Sequence, residues 1–200
     1  EGLLHSGVEL CFNGERHAID FVKLTGGKTV MVYGQTEVTK DLNTALHAAG
    51  AQIVYEAEDV TVNDFDTDHP SIRYSKGGEA HEIQCDFIAG CDGFHGISRS
   101  SIPDDRINLF ERVYPFAWLG ILVETPPVSD ELVYSNTDHG FALYSMRSMT
   151  LSRFYLQCAP DEDINNWSDN RIWDELAYRL DDEGAKNLTP APLLEKGITP

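Results

Sequence analysis

The sequence has few basic residues and no long apolar run. Its apolar runs, as in Phe87-Ile88-Ala89, are far shorter than the roughly 20 residues that a membrane-spanning helix needs, so we expect no segment that spans a bilayer. The chain contains 15 Lys and Arg but 33 Asp and Glu, which gives a formal net charge of −18. A phosphate backbone binds basic surfaces. We therefore expect neither nucleic acid nor a membrane as a partner, and we interpret the acidic excess as a solvated surface.

Cysteine is also scarce, and several common signatures are absent. The four cysteines form no CxxC pair, and no histidine lies near them at zinc-finger spacing. We expect reduced, buried thiols in a cytoplasmic protein and no metal site. The chain contains no GxGxxG, Walker, GxSxG or HExxH motif. It begins at Glu1 without a secretory signal and ends without a polar tail, which predicts a fragment of a longer protein.

What the chain does contain is a mixture of strand and helix patterns. Val8–Phe12 alternates and is followed by Asn13-Gly14, the signal of a type I′ hairpin turn. Apolar residues from Val38 to Ala49 recur at helical spacing, and Gly50 is typical of a residue just past a helix. Further strands are predicted at 16–21, 29–33, 52–55, 60–65, 71–74, 79–84, 86–90, 118–123, 132–135, 141–147 and 153–158, and a second helix is predicted after Ser168. The pattern predicts an α+β fold.

Four polar residues of two neighbouring strands are predicted to share one face. Ser145 and Arg147 are two residues apart, as are Arg153 and Tyr155. A hairpin loop over Ser148–Ser152 would pair Arg147 with Arg153 and Ser145 with Tyr155. Two facing guanidiniums repel unless an acceptor lies between them, and arginine suits a planar carboxylate. A solvated polar face, with each arginine paired to nearby acidic residues, explains the same pattern equally well.

Several longer motifs occur in one order along the chain. They are Val32–Val38, Ile88–Arg99 with its turn Gly90-Cys91-Asp92-Gly93, Phe110–Phe116, and the runs within Phe141–Tyr155. Together they resemble the 4-hydroxybenzoate hydroxylase family of FAD-dependent aromatic hydroxylases. The resemblance extends over essentially the whole chain. Taken alone, the turn after Gly90 is only a tight turn that uses glycines.

The resemblance implies a set of substrate contacts. Ser145, Arg147 and Tyr155 would hold a substrate carboxylate, and Met146 lies beside them at a position that tunes the substrate. Tyr134 would hydrogen-bond the phenolic oxygen and help to ionise it. Without the resemblance, Tyr134 would be read as an ordinary aromatic residue of a strand.

The resemblance also implies cofactor contacts and a proton path. His5 corresponds to the surface end of the family's proton relay. Contacts to FAD are implied for Gln35, Asp92 and Arg153, and contacts near the pyridine nucleotide for Asp92, His95 and Arg99. A basic pair suits the nucleotide's phosphate.

The implied activity is hydroxylation of 4-hydroxybenzoate to 3,4-dihydroxybenzoate with FAD, NADPH or NADH, and O2. Residues 1–34 and 109–200 are expected to build an antiparallel substrate-binding sheet, and residues 35–108 part of an FAD-binding α/β module. A hydroxylase of another phenolic acid and a non-catalytic module that binds aromatic acids remain alternatives. The partner expected is a small aromatic acid. A homodimer of the full-length enzyme is compatible with the sequence, which does not set the oligomeric state.

The isolated 200-residue chain is expected to bind FAD weakly or not at all. The pyrophosphate of a dinucleotide binds at a glycine turn and a helix N-terminus, and the chain contains no GxGxxG motif. Gln35 and Arg153 would orient the cofactor but anchor it little. Equilibrium dialysis should detect no binding at micromolar FAD, and a stoichiometrically yellow chain would contradict this expectation.

Overall fold

The computed structural model describes residues 2–199, which divide into two units. One unit comprises the residues up to Thr44 together with those from Val113 onward, and the other is Ala45–Arg112. Their assignment to substrate and cofactor stays a prediction. Within the described residues, no helix is long and apolar enough to cross a membrane.

Twelve strands and five α-helices make up the described chain. In order they are β1 (Leu3–His5), β2 (Gly7–Phe12), β3 (Glu15–Asp20), α1 (Phe21–Thr25), β4 (Val30–Val32), α2 (Gln35–Ala48), β5 (Glu58–Asn63), β6 (Ser71–Lys76), β7 (Glu79–Gln84), α3 (Ile97–Ser100), β8 (Ala117–Val123), β9 (Leu132–Thr137), β10 (Gly140–Ser148), β11 (Leu151–Cys158), α4 (Asp169–Tyr178), α5 (Asp182–Asn187) and β12 (Leu193–Thr199). The prediction of an α+β fold is confirmed.

A seven-stranded sheet with the order β12-β8-β11-β10-β9-β2-β3 forms the body of the first unit. Its neighbouring strands are antiparallel, except that β2 and β9 run parallel. Along β10 and β11 buried and half-buried residues alternate, as strand geometry requires. The buried set packs against α4, and the largest members of this core are Tyr144, Phe154, Leu119, Ile121, Leu156, Ile172 and Leu176. One face of the sheet is therefore closed by a helix.

The helix that closes the sheet follows from its sequence. The Ser168 hydroxyl accepts a hydrogen bond from the Arg171 N–H at 3.2 Å, which caps the first turn of α4 as predicted. Ile172 and Leu176, four residues apart, are fully buried on one side of the helix. The Tyr144 hydroxyl donates to the Leu176 carbonyl. Burial raises the pKa of Tyr144 well above its ordinary value, so this group stays a neutral donor.

The predicted hairpin turn and the predicted helix before Gly50 are confirmed. Asn13 and Gly14 have φ of 48° and 86°, the positive values that a type I′ turn requires between β2 and β3. The helix predicted from Val38 to Ala49 is α2, and Gly50 follows it with φ of 72°. All four cysteines are free, but only Cys11 is fully buried and Cys91 is exposed.

Two predicted strands are wrong, those at 52–55 and 86–90. Neither segment pairs with a neighbouring strand within residues 2–199, and the sheet of the second unit consists of β5, β6 and β7. Phe87, the apolar centre of the second segment, is 91% exposed. A short apolar run forms a strand only where a partner satisfies its backbone groups.

Tyr144→Phe is expected to lower the free energy of unfolding by about 1–2 kcal/mol, because the Leu176 carbonyl loses its donor inside the core. Tyr178→Phe is the matched control, since Tyr178 lies on α4 with its side chain 62% exposed. Urea denaturation of both variants measures the difference. Equal stability of the two variants would show that the buried hydrogen bond contributes nothing.

Candidate functional site

The face of the seven-stranded sheet opposite α4 is open and carries the polar residues of β10 and β11. Ser145, Arg147, Arg153 and Tyr155 are half-buried there, whereas the residues between them point into the core. The spacing of two in the sequence is the cause, because successive side chains of a strand point to opposite faces. The structure thus brings the four residues to one surface.

The predicted register of this hairpin is wrong. Ser145 lies opposite Arg153, not Tyr155. The turn contains only Met149 and Thr150, and a bulge between Met146 and Ser148 leaves Arg147 without a directly opposite residue. A shorter turn moves the pairing, and the extra residue of a bulge re-aims its side chain. The two guanidiniums are therefore not cross-strand partners.

Arg147 and Arg153 line a polar cavity of about 530 Å³ on this face. Gln35 and Glu37, in the first turn of α2, contribute to its wall, and so does Tyr155. Glu195 of β12 adds a carboxylate to the wall of the same cavity. The residues that line the cavity can bind a planar anion and can hydrogen-bond a polar ring.

Arg153 is held from several sides but keeps one donor free. Its Nη1 lies 3.7 Å from Glu195 Oε2, and its guanidinium lies 5.2 Å from the centre of the Tyr155 ring. Its carbonyl accepts a hydrogen bond from the Ser145 hydroxyl at 2.8 Å. Its Nε is buried and has no hydrogen-bond partner among the described residues. A buried donor of this kind fits an acceptor on a bound ligand.

Gly120 makes room for this arrangement. It lies on β8 opposite Tyr155, with Gly197 of β12 on its other side. A Cβ at position 120 would lie 2.9 Å from Arg153 Nη2 and 3.4 Å from a ring carbon of Tyr155. Our sequence analysis missed Gly120, although a glycine inside a strand pattern signals a close approach.

A second cavity of about 400 Å³ lies on the same face and is apolar. Trp118, Phe141 and Leu143 line it together with Tyr134 and Tyr155. The ring of Phe141 lies 5.5 Å from that of Trp118 and 6.4 Å from that of Tyr134. Tyr155 lines both cavities, so an aromatic slot adjoins the cavity that holds the arginines. Such a pair suits a flat aromatic ring that carries an anionic group.

Two predicted residues lie elsewhere. Met146 is only 4% exposed and faces the core, because it alternates with Ser145 and Arg147. The side chain of Met146 therefore does not lie on the open face, where the resemblance implied a contact with the substrate. His5 is 1% exposed and its Nδ1 lies 2.9 Å from Glu131 Oε2, so within the described residues it is not at a surface.

The second unit contains its own cavity of about 540 Å³, around the turn that follows Gly90. Asp92 and Arg99 line it. The Ser98 N–H donates to Asp92 Oδ2 at 2.9 Å, and this hydrogen bond holds the pKa of Asp92 below its ordinary value. His95 is exposed, and its ring lies nearly perpendicular to that of Phe94, with the two ring centres 5.0 Å apart. The cavity thus combines a fixed carboxylate with a cation.

A family model described as an FAD binding domain matches residues 1–200. The p-hydroxybenzoate hydroxylase of Acinetobacter baylyi is 50% identical over 200 residues, which are 100% of this chain and 49% of that protein. The chain therefore spans about half the length of this curated relative.

Solved structures of flavoproteins share the fold. The flavin-dependent halogenase CmlS superposes with a TM-score of 0.72 at 14% identity, over 98% of this chain and 37% of that one. The p-nitrophenol 4-monooxygenase PnpA from Pseudomonas putida has a TM-score of 0.68 at 14% identity, over 98% of this chain and 51% of that one. At these identities the likeness concerns the fold alone. Since the family model matches the full length, the chain belongs to the FAD binding domain family.

Proposed function

We propose that the protein containing this chain is a cytoplasmic flavoprotein monooxygenase that hydroxylates 4-hydroxybenzoate to 3,4-dihydroxybenzoate with NADPH or NADH and O2. The observation that carries the proposal is the aromatic slot with Tyr134 beside the cavity with Arg147, joined by Tyr155. A hydroxybenzoate has the matching form, a ring with a phenol at one end and a carboxylate at the other. The relative that is 50% identical bears the name of that activity.

The carboxylate end of the substrate is assigned to Arg147. A guanidinium offers two parallel N–H donors to the two oxygens of a carboxylate, which fixes both distance and plane. Tyr155 lines the same cavity and can donate its hydroxyl proton. The Ser145 hydroxyl donates to the Arg153 carbonyl, and its rotation would redirect that donor to the substrate.

The phenol end of the substrate is assigned to Tyr134. Trp118 and Phe141 form walls against which the ring can pack, and they limit the water around it. A hydrogen bond from the Tyr134 hydroxyl to the substrate oxygen stabilises the ionised phenol more than the neutral one. The ring of an ionised phenol is more electron-rich than that of a neutral phenol, so this hydrogen bond makes the substrate more reactive toward oxygenation.

FAD, when bound, supplies the redox chemistry, taking electrons from the nicotinamide and activating O2. The free Nε of Arg153 fits an acceptor on a polar planar group, and we assign Gln35 and Arg153 to the contacts of FAD. Asp92 is assigned to FAD and pyridine nucleotide, and His95 and Arg99 to the phosphate of the latter. We assign residues 1–34 and 109–200 to the substrate-binding domain and residues 35–108 to part of the FAD-binding domain.

In the complete protein, Arg147→Lys is expected to weaken 4-hydroxybenzoate binding by about 1–3 kcal/mol while FAD content stays unchanged. Lysine keeps the charge but loses the two-donor plane. Arg106→Lys is the matched control, because Arg106 is 77% exposed in the other unit. Titration of each variant with 4-hydroxybenzoate measures the dissociation constants, and an unchanged value for Arg147→Lys would remove this residue from the site.

Tyr134→Phe in the complete protein should leave substrate and FAD binding nearly unchanged but lower the yield of hydroxylated product. The ring stays in place, whereas the hydroxyl that helps to ionise the phenol is lost. NADPH oxidation should then release hydrogen peroxide instead of forming product. The measurement is the ratio of 3,4-dihydroxybenzoate to NADPH consumed, beside peroxide release.

The control for this variant is Tyr74→Phe, since Tyr74 stacks on His81 in the three-stranded sheet of the second unit. It should keep the ratio of the unmodified protein. If Tyr134→Phe also keeps that ratio, Tyr134 is a packing residue and the phenol has another partner.

A further inference from the structure

The buried His5 and the half-buried Glu131 form a pair that the proposed contacts do not use. His5 ends β1 and is 1% exposed, and its Nδ1 lies 2.9 Å from Glu131 Oε2. The other ring nitrogen, Nε2, is also buried and has no hydrogen-bond partner among the described residues. The two residues are 126 positions apart in the sequence, so the fold alone brings them together.

Glu131 is held in one orientation. Its Oε1 accepts a hydrogen bond from the backbone N–H of Ser6 at 2.9 Å, and its own N–H donates to the Ser129 hydroxyl at 3.2 Å. The Ser129 hydroxyl in turn donates to Glu9 Oε2 at 2.7 Å. One carboxylate oxygen is therefore committed to the backbone, and the other is left for the imidazole.

This geometry decides which nitrogen of His5 carries the proton. An ionised carboxylate only accepts hydrogen bonds, so the Nδ1 that faces it must donate. A neutral histidine then has its lone pair on Nε2. We propose that Glu131 is a positioning residue that fixes His5 in the Nδ1–H form and leaves Nε2 as a proton acceptor in the interior.

The resemblance already implies that His5 belongs to the path of the proton that the phenol loses on ionising; the new element is Glu131, and its effect on the reaction rests on the proposed function. The proton leaves the phenolic O–H bond at one end of that path and forms an N–H bond at Nε2 at the other, and no electron is transferred. The imidazolium so formed would face the carboxylate of Glu131 at 2.9 Å, which stabilises the positive charge.

The hydrogen bond from the Ser6 N–H lets us predict how Glu131→Gln changes the tautomer of His5. In Glu131→Gln, the Ser6 N–H still needs an acceptor, so the amide oxygen takes the place of Oε1. The amide NH2 then faces Nδ1 of His5 and donates to it. The proton of the imidazole must move to Nε2, and the interior acceptor is lost.

The test is NMR of the complete protein labelled with ¹⁵N-histidine, in which the His5 signals are identified by their loss in a His5→Asn variant. The unmodified protein should show Nδ1–H, and Glu131→Gln should show Nε2–H. Glu124→Gln, a change at an exposed glutamate, should leave the signals unchanged. An Nε2–H form in the unmodified protein overturns the proposal, even where the Gln variant does not fold. Retention of Nδ1–H in a folded Gln variant overturns it too.

Steady-state kinetics separate the role in the reaction from the structural role. Glu131→Gln should lower kcat for hydroxylation by about tenfold or more, a part of the roughly hundredfold or larger contribution of a positioned proton acceptor, with KM for 4-hydroxybenzoate unchanged. An unchanged kcat together with a changed tautomer would overturn the role of this pair in the reaction. Failure of the unmodified protein to hydroxylate 4-hydroxybenzoate would overturn the proposed function, and the tautomer measurement would stand.

Discussion

The strict alternation of side chains along β10 and β11 is the constraint on which the site depends. It places Tyr144 and Phe154 under α4, and the same backbone places Arg147 and Tyr155 on the open face. A shift of one residue would exchange the two sets, burying guanidiniums without partners at a cost of several kcal/mol each. The packing that stabilises the sheet therefore also orients the polar residues opposite it.

Charge on the open face differs from charge on the rest of the chain. The formal net charge of −18 repels an anion, but in about 0.1 M salt such repulsion is screened beyond roughly 10 Å. Close to the sheet, Arg147 and Arg153 share one cavity with Glu37 and Glu195, so the formal charges on its walls cancel. The net charge of the cavity therefore does not attract an anion, and binding depends on the placement of the arginine donors, which favours selection by geometry over long-range steering.

Sequence reasoning recovered what depends on local pattern. Helix α2, the turn at Asn13-Gly14 and the shared face of β10 and β11 all follow from spacing and turn chemistry, and the structure contains them. The register of the hairpin did not follow, because a bulge beside Arg147 has no signal in the residue types. Nor did the pair of His5 and Glu131, because a contact across 126 residues is created by the fold.

The glycine at position 120 of β8 restricts how this strand and its neighbour β11 can change during evolution. Because a Cβ there would lie 2.9 Å from Arg153 Nη2 and 3.4 Å from a ring carbon of Tyr155, a residue larger than glycine at 120 requires the guanidinium to move out of this position. A relative that replaces Arg153 with a short residue is released from that requirement and can fill the space with a methyl group or more. Positions 120 and 153 should therefore change together among homologues, and the size of the pair, rather than either residue, should be preserved.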